Sequence, residues 1–234
     1  MRYRNTLEFD KVLATIRKLS LRIKERLPES SLYKTSDDFY NAAFTFQSGF
    51  DHIVRPNYFV RFICLFVIMI SICGIAYGFT LVELKVQNTL LDVATFAEAS
   101  INNILLIGAA YFFLFNLEKR IKRRRAAKYL DILSEYVHVV DMHQLAKDPH
   151  VYGKSYAEKT NSSPYRMISK FEFQRYLVYC SELLSLISKV SVLFSETIDD
   201  DIISKRSDEI ENLSSQLTSK IWQKLIILQR IDSF

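Results

Sequence analysis

The sequence predicts an all-α membrane protein: a two-helix transmembrane hairpin with a cytoplasmic helical bundle. Three observations lead there. Chain breakers are scarce, with Gly 5 and Pro 4 among 234 residues, which disfavours turn-rich β-sandwiches and βαβ enzymes and favours long helices. Hydrophobic residues make up 49% of the chain while charged residues still make up 24%, so it is neither disordered nor uniformly apolar. A mean hydropathy of +0.04 is high for so charged a chain, so the apolar residues must be concentrated. They are: Phe62–Val82 is 21 residues without a charge, and Ala99–Leu117 is 19.

Residues 1–57 read as an N-terminal cytoplasmic amphipathic helical segment. Leu7, Val12, Leu13, Ile16, Leu19, Ile23 and Leu27 recur at helical spacing with Lys and Arg between them. Residues 1–27 hold eight bases and three acids, a net +5, which suits either a membrane-surface helix or packing on other cytoplasmic helices. Pro28 closes this helix, and Ser30–Asp38 reads as a polar loop. No secretory leader is read, because the first strongly apolar run begins only at Phe62, behind a basic segment.

Residues 58–118 form the hairpin, with spans at 62–82 and 99–117. A spanning helix needs about 20 apolar residues to cross a hydrocarbon core of about 30 Å. The first run contains twelve Ile, Leu, Phe or Val residues; the second contains ten and is interrupted by Ser100, Asn102, Asn103 and Asn116. Gly74 and Gly78 make a GxxxG, and Gly108 precedes Ala109 and Ala110, so these glycines are the candidate packing positions of the spans, within one chain or between copies. Asn102 and Asn103 are candidates to line a polar path, to bond a neighbouring helix or to meet the interface. Between the spans Glu83–Glu98 reads as a loop with a net charge of −2. Lys119, Arg120, Lys122, Arg123, Arg124, Arg125 and Lys128 follow the second span at once, and Arg55 and Arg61 precede the first. Positive-inside asymmetry then places both termini in the cytoplasm. The basic cluster admits two readings, a topology anchor on anionic headgroups or a nucleic-acid contact.

Residues 119–149 read as a cytoplasmic continuation of the second span. Tyr129, Leu130, Leu133, Val137 and Val140 extend a helical stripe to about Ala146, where Asp148-Pro149 stops it. Residues 150–163 read as a loop, with Ser163-Pro164 as cap and first residue of the next helix. Residues 164–234 then form a C-terminal hairpin or bundle. Phe173, Leu177, Cys180, Leu184, Ile187, Val190 and Phe194 mark one helix, Asp199-Asp200-Asp201 breaks it, and Ile210, Leu213, Leu217, Ile221, Leu225, Leu228 and Ile231 mark the last. The last spacing averages 3.5 residues, but Lys220 and Lys224 occupy seam positions, which favours a bundle over a coiled coil.

No enzyme signature is present: HExxH, GxSxG, P-loop and GxGxxG are all missing. His138, Asp141 and His143 point around their helix and cannot close on one metal, so no metal, cofactor or catalytic site is expected. Three cysteines without a CxxC fit a reducing compartment.

Two short-looped spans followed by a basic helix that ends in Val140-Asp141-Met142-His143-Gln144-Leu145-Ala146-Lys147-Asp148-Pro149 resemble the two-transmembrane effectors of bacterial anti-phage systems. The nearest resemblance is to the membrane effector encoded beside a retron reverse transcriptase, and a more distant one is to SLATT-like two-span proteins. It covers about residues 60 to 150, and no residue role is carried over from it. The resemblance implies a toxin-like protein of abortive infection. Its partners would be membrane lipids, further copies of itself and an inhibitory complex of reverse transcriptase with RNA and DNA, until infection releases it to breach the inner membrane. Without the resemblance, two alternatives stand: a non-toxic membrane scaffold or sensor that recruits a cytoplasmic partner, and a membrane protein that senses nucleic acid or a nucleotide.

Overall fold

The computed structural model describes residues 8–54, 58–85, 90–145, 147–152 and 169–231, and every regular element among them is helical. The α-helices are α1 (Phe9–Arg26), α2 (Ser31–Val54), α3 (Tyr58–Lys85), α4 (Leu90–Leu145), α5 (Lys170–Thr197) and α6 (Asp201–Arg230), and a 3-10 turn, Pro149–Tyr152, follows α4. The chain divides into two compact units: Met1–Val54 with Arg125–Phe234, and Arg55–Arg124.

The first unit is a bundle around α5, which packs on α1, α2 and α6. In α1, Val12, Ile16, Leu19 and Ile23 bury the expected apolar face, each such side chain contributing about 1.5–3 kcal/mol. α1 and α2 therefore share one core with the C-terminal helices. The expected loop at Ser30–Asp38 is corrected: α2 starts at Ser31. Leu32, Phe39, Ala43 and Phe46 keep helical spacing and are buried. The polar residues between them find partners inside the helix. The Tyr33 N–H donates to Ser30 Oγ at 3.2 Å, while the Thr35 and Ser36 hydroxyls donate to the carbonyls of Ser31 and Tyr33 at 3.1 and 2.8 Å.

The last third of α4 enters this core through Ala126, Leu130, Leu133, Val137 and Val140. An aromatic column ties it in. Tyr129 meets Phe46 of α2 edge-on at 4.9 Å and stacks on Phe194 of α5 at 5.6 Å, while Tyr136 meets Phe39 at 5.4 Å. The expected loop and the Ser163-Pro164 start fall largely on 153–168, outside the described residues. The described α5 begins on a capping box: Ser169 Oγ accepts from the Glu172 N–H and the Glu172 carboxylate accepts from the Ser169 N–H. Asp200 caps α6 by accepting from the N–H groups of Ile202 and Ile203. Small buried residues let α5 and α6 close together, with the Ser207 hydroxyl 3.2 Å from that of Ser191.

The second unit contains α3 and the first part of α4. The expected loop Glu83–Glu98 is also corrected, since α3 runs to Lys85 and α4 starts at Leu90, leaving 86–89 outside the described residues. Leu90, Leu91, Val93 and Phe96 give that stretch an apolar helical pattern that its acidic residues obscure. The two helices run back on each other: Arg61, near the start of α3, lies 3.8 Å from Glu118, and Lys122 reaches the same carboxylate at 3.0 Å.

Candidate functional site

Two helical stretches are long and apolar enough to cross a membrane, one within Ala97–Tyr152 and one at Lys170–Thr197; Tyr58–Gly74 is a shorter apolar helix. Their surroundings differ. The apolar window of Lys170–Thr197 is 61% buried, and its Leu177, Leu183, Leu184, Ile187 and Phe194 are sealed in the bundle. The window of Ala97–Tyr152 is 0% buried. Ile101, Ile104, Leu105, Leu106, Phe112 and Phe113 are all exposed there, and Phe59, Phe62, Leu65, Phe66, Met69, Ile70 and Ile72 are exposed on α3. A soluble monomer rarely leaves so much contiguous apolar surface open.

The expected basic cluster lies on an unbroken stretch of α4. Lys119, Arg120, Arg124, Arg125 and Lys128 are exposed; Lys122 and Arg123 are half-buried, Lys122 on Glu118. At about 100° per residue, Lys119, Arg123, Arg120, Arg124, Arg125 and Lys122 fall at about 0°, 40°, 100°, 140°, 240° and 300°. The bases make a collar around the helix rather than a stripe along it. A collar matches headgroups surrounding a helix on all sides, whereas a duplex groove is met from one side.

The far end of α4 is held by side chains from three helices, a feature sequence reasoning missed. An α-helix leaves its last carbonyls without intrahelical partners. Here the Tyr176 hydroxyl of α5 donates to the His143 carbonyl at 3.3 Å, and the Lys224 ammonium of α6 donates to the Gln144 carbonyl at 2.8 Å. A cation at this end also opposes the helix dipole. The His143 ring lies between two hydroxyls of α2, with Nε2 2.9 Å from Thr35 Oγ1 and Nδ1 3.2 Å from Ser31 Oγ. Because Thr35 gives its proton to the Ser31 carbonyl, it accepts from Nε2–H, and Nδ1 accepts from Ser31. Burial, helped by Lys147, lowers the His143 pKa below its usual 6.5. Burial also lowers that of Lys224, with Asp141 pulling the other way, and pushes the Cys180 thiol up to about 12. Lys147 stands 3.5 Å over the Tyr176 ring. His143 and Gln144 thus form a hub joining α2, α5 and α6 to the end of α4. The anomaly that could have revealed it is Lys224, a base at a seam position.

No family model, curated protein or solved structure matches this chain.

The structure leaves two of the expected packing glycines, Gly74 and Gly108, open. A Cβ on Gly74 or Gly108 would meet nothing within 4 Å, so neither packs closely on a helix among the described residues. Gly78 lies in α3 among residues whose surroundings are not described. Asn102 and Asn103 are exposed on α4. Among the described residues no group of three or more His, Cys, Asp or Glu could hold a metal ion; His138 is exposed, and His143 is turned to α2.

Proposed function

We propose that this chain is a two-span inner-membrane effector of anti-phage defence. The α3–α4 hairpin lies in the bilayer, both termini and the bundle lie in the cytoplasm, and α4 carries a signal from the bundle into the lipid phase. The observation that carries the membrane reading is the contrast between two helices of similar hydropathy: the α5 window is 61% buried in protein, whereas no residue of the α4 window is buried. Lipid is the solvent that suits such a surface, and 19 residues of helix, Ala99–Leu117, span about 28 Å. The collar and Arg61, at one end of the hairpin through Glu118, support the cytoplasmic orientation of that end. The resemblance of residues 60–150 to retron-associated effectors supports the disruptive outcome, with a reverse transcriptase–nucleic acid complex as the restraining partner. The all-round collar favours lipid headgroups over nucleic acid as its contact.

Induced expression of the full chain alone, followed with a potential-sensitive dye, tests this reading. Depolarisation and growth arrest are expected. Both should vanish in Leu105→Lys/Phe112→Lys, because a lysine at a span centre costs about 2.5–3.5 kcal/mol in insertion. Cells that stay polarised and grow while the unaltered chain accumulates in their membranes would overturn the effector reading and leave a scaffold that recruits a cytoplasmic partner.

A further inference from the structure

We infer that Asn102, Ala109 and Asn116 form a self-association face on α4, and that it takes the same face of a second copy of this chain within the bilayer. The inference rests on the membrane reading above. α4 has two faces of seven-residue period in the second unit. Ser100, Ile107, Leu114 and Ile121 are all half-buried there, so this face is partly covered within the chain along its whole length. Asn102, Ala109 and Asn116 lie two positions further on, about 200° around the helix. They are therefore nearly opposite; Asn102 and Ala109 are exposed, and Asn116, beside the basic cluster, is half-buried.

The chemistry of this second face selects its occupant. Asn102 makes no hydrogen bond among the described residues, so its amide presents both donors and acceptor. Asn116 spends one donor on the Phe112 carbonyl at 2.9 Å and keeps its carbonyl oxygen available. Hydrocarbon tails offer neither donor nor acceptor, and polar side chains inside a membrane turn toward other protein. A primary amide is complementary to itself, so the same face of a second copy supplies what each one lacks. Midway, Ala109 has only a methyl group, and its neighbour Gly108 has open space beside it, so two backbones can approach closely. A seven-residue period keeps such a face in register along a left-handed helix pair.

The test is cysteine cross-linking of the full-length chain in native membranes, with Cys64 and Cys73 replaced by Ser. Single cysteines at the exposed positions 102 and 109 should give disulfide-linked dimer several-fold above cysteines at the half-buried positions 107 and 114. Asn102→Val should weaken self-association in lipid about three- to tenfold. A flat cross-linking profile in membrane-retained protein overturns the face alone. Unchanged association of Asn102→Val also overturns it, because the amides would then be solvated by headgroups. Release of the chain by alkaline extraction overturns the membrane reading and the face with it.

Discussion

Replacing Gly49 with Ala tests the docking of α4 in the bundle with one methyl group. In a helix interior this exchange normally stabilises by roughly 0.5–1 kcal/mol, because alanine loses less backbone entropy on folding. At Gly49 the added Cβ would stand 2.8 Å from Tyr129 Cζ and closer still to the hydroxyl oxygen. The ring has little room to swing aside, with Phe46 edge-on at 4.9 Å and Phe194 stacked at 5.6 Å. Overpacking of this kind costs about 1–3 kcal/mol, which exceeds the propensity gain. The net expectation is a loss of about 1–2 kcal/mol, or a fall in Tm of about 2–8 °C for a unit of this size. Thermal unfolding of the detergent-solubilised full chain, followed by circular dichroism, reads this directly. Tyr129→Phe removes the nearest atom, so the Gly49→Ala substitution should cost less in that background than in the unaltered chain. A Gly49→Ala protein that melts at or above the parent temperature would refute the reasoning.

Three further outcomes are expected. Leu133→Ala, at a 0% exposed position of α4, should lower stability by about 2–5 kcal/mol in denaturant titration, and an effect under 1 kcal/mol would remove α4 from the core. His143 is held below its usual pKa of 6.5 in the fold, so the unfolded chain binds the extra proton. Its contribution is therefore complete above about pH 6.5 and is lost as the pH falls below it; His143→Gln should flatten this part of the pH–stability curve, and an unaltered slope would contradict the assignment. Cys180 is fully buried with its thiol pushed up to about 12, so in the Cys64→Ser/Cys73→Ser chain it should resist maleimide at pH 8 until denaturant is added. Rapid labelling of the native chain would show that the α5 core is open.

What was legible in the sequence follows the length and purity of each pattern. The α1 face, the stripe Leu130, Leu133, Val137 and Val140, and the apolar positions of α5 and α6 repeat over several turns, interrupted only at Lys220 and Lys224 of α6, and their described residues appear as helix faces in the structure. The start of α2 was hidden because Ser and Thr, which usually mark turns, satisfy their hydroxyls on carbonyls of their own helix and become buried. The true extent of α4 was hidden by Asp92 and Glu98, which suggested a loop beside apolar residues that continue the helix. The hub at His143 and Gln144 was illegible for another reason. Its partners Ser31, Thr35, Tyr176 and Lys224 are scattered along the chain, and only the tertiary fold brings them together. For the basic cluster the sequence carried the residues, and helix geometry added their all-round arrangement.

The central claim is that the open apolar surface of α3 and α4 is dissolved in lipid, with the collar at the cytoplasmic boundary. Reaction of Leu105→Cys and Arg124→Cys chains, lacking Cys64 and Cys73, with a membrane-impermeant maleimide tests it in sealed inverted and right-side-out vesicles. The account predicts that position 124 reacts only in inverted vesicles and that position 105 reacts in neither until detergent is added. Labelling of position 105 from either aqueous face, or of position 124 from the outside, would contradict it.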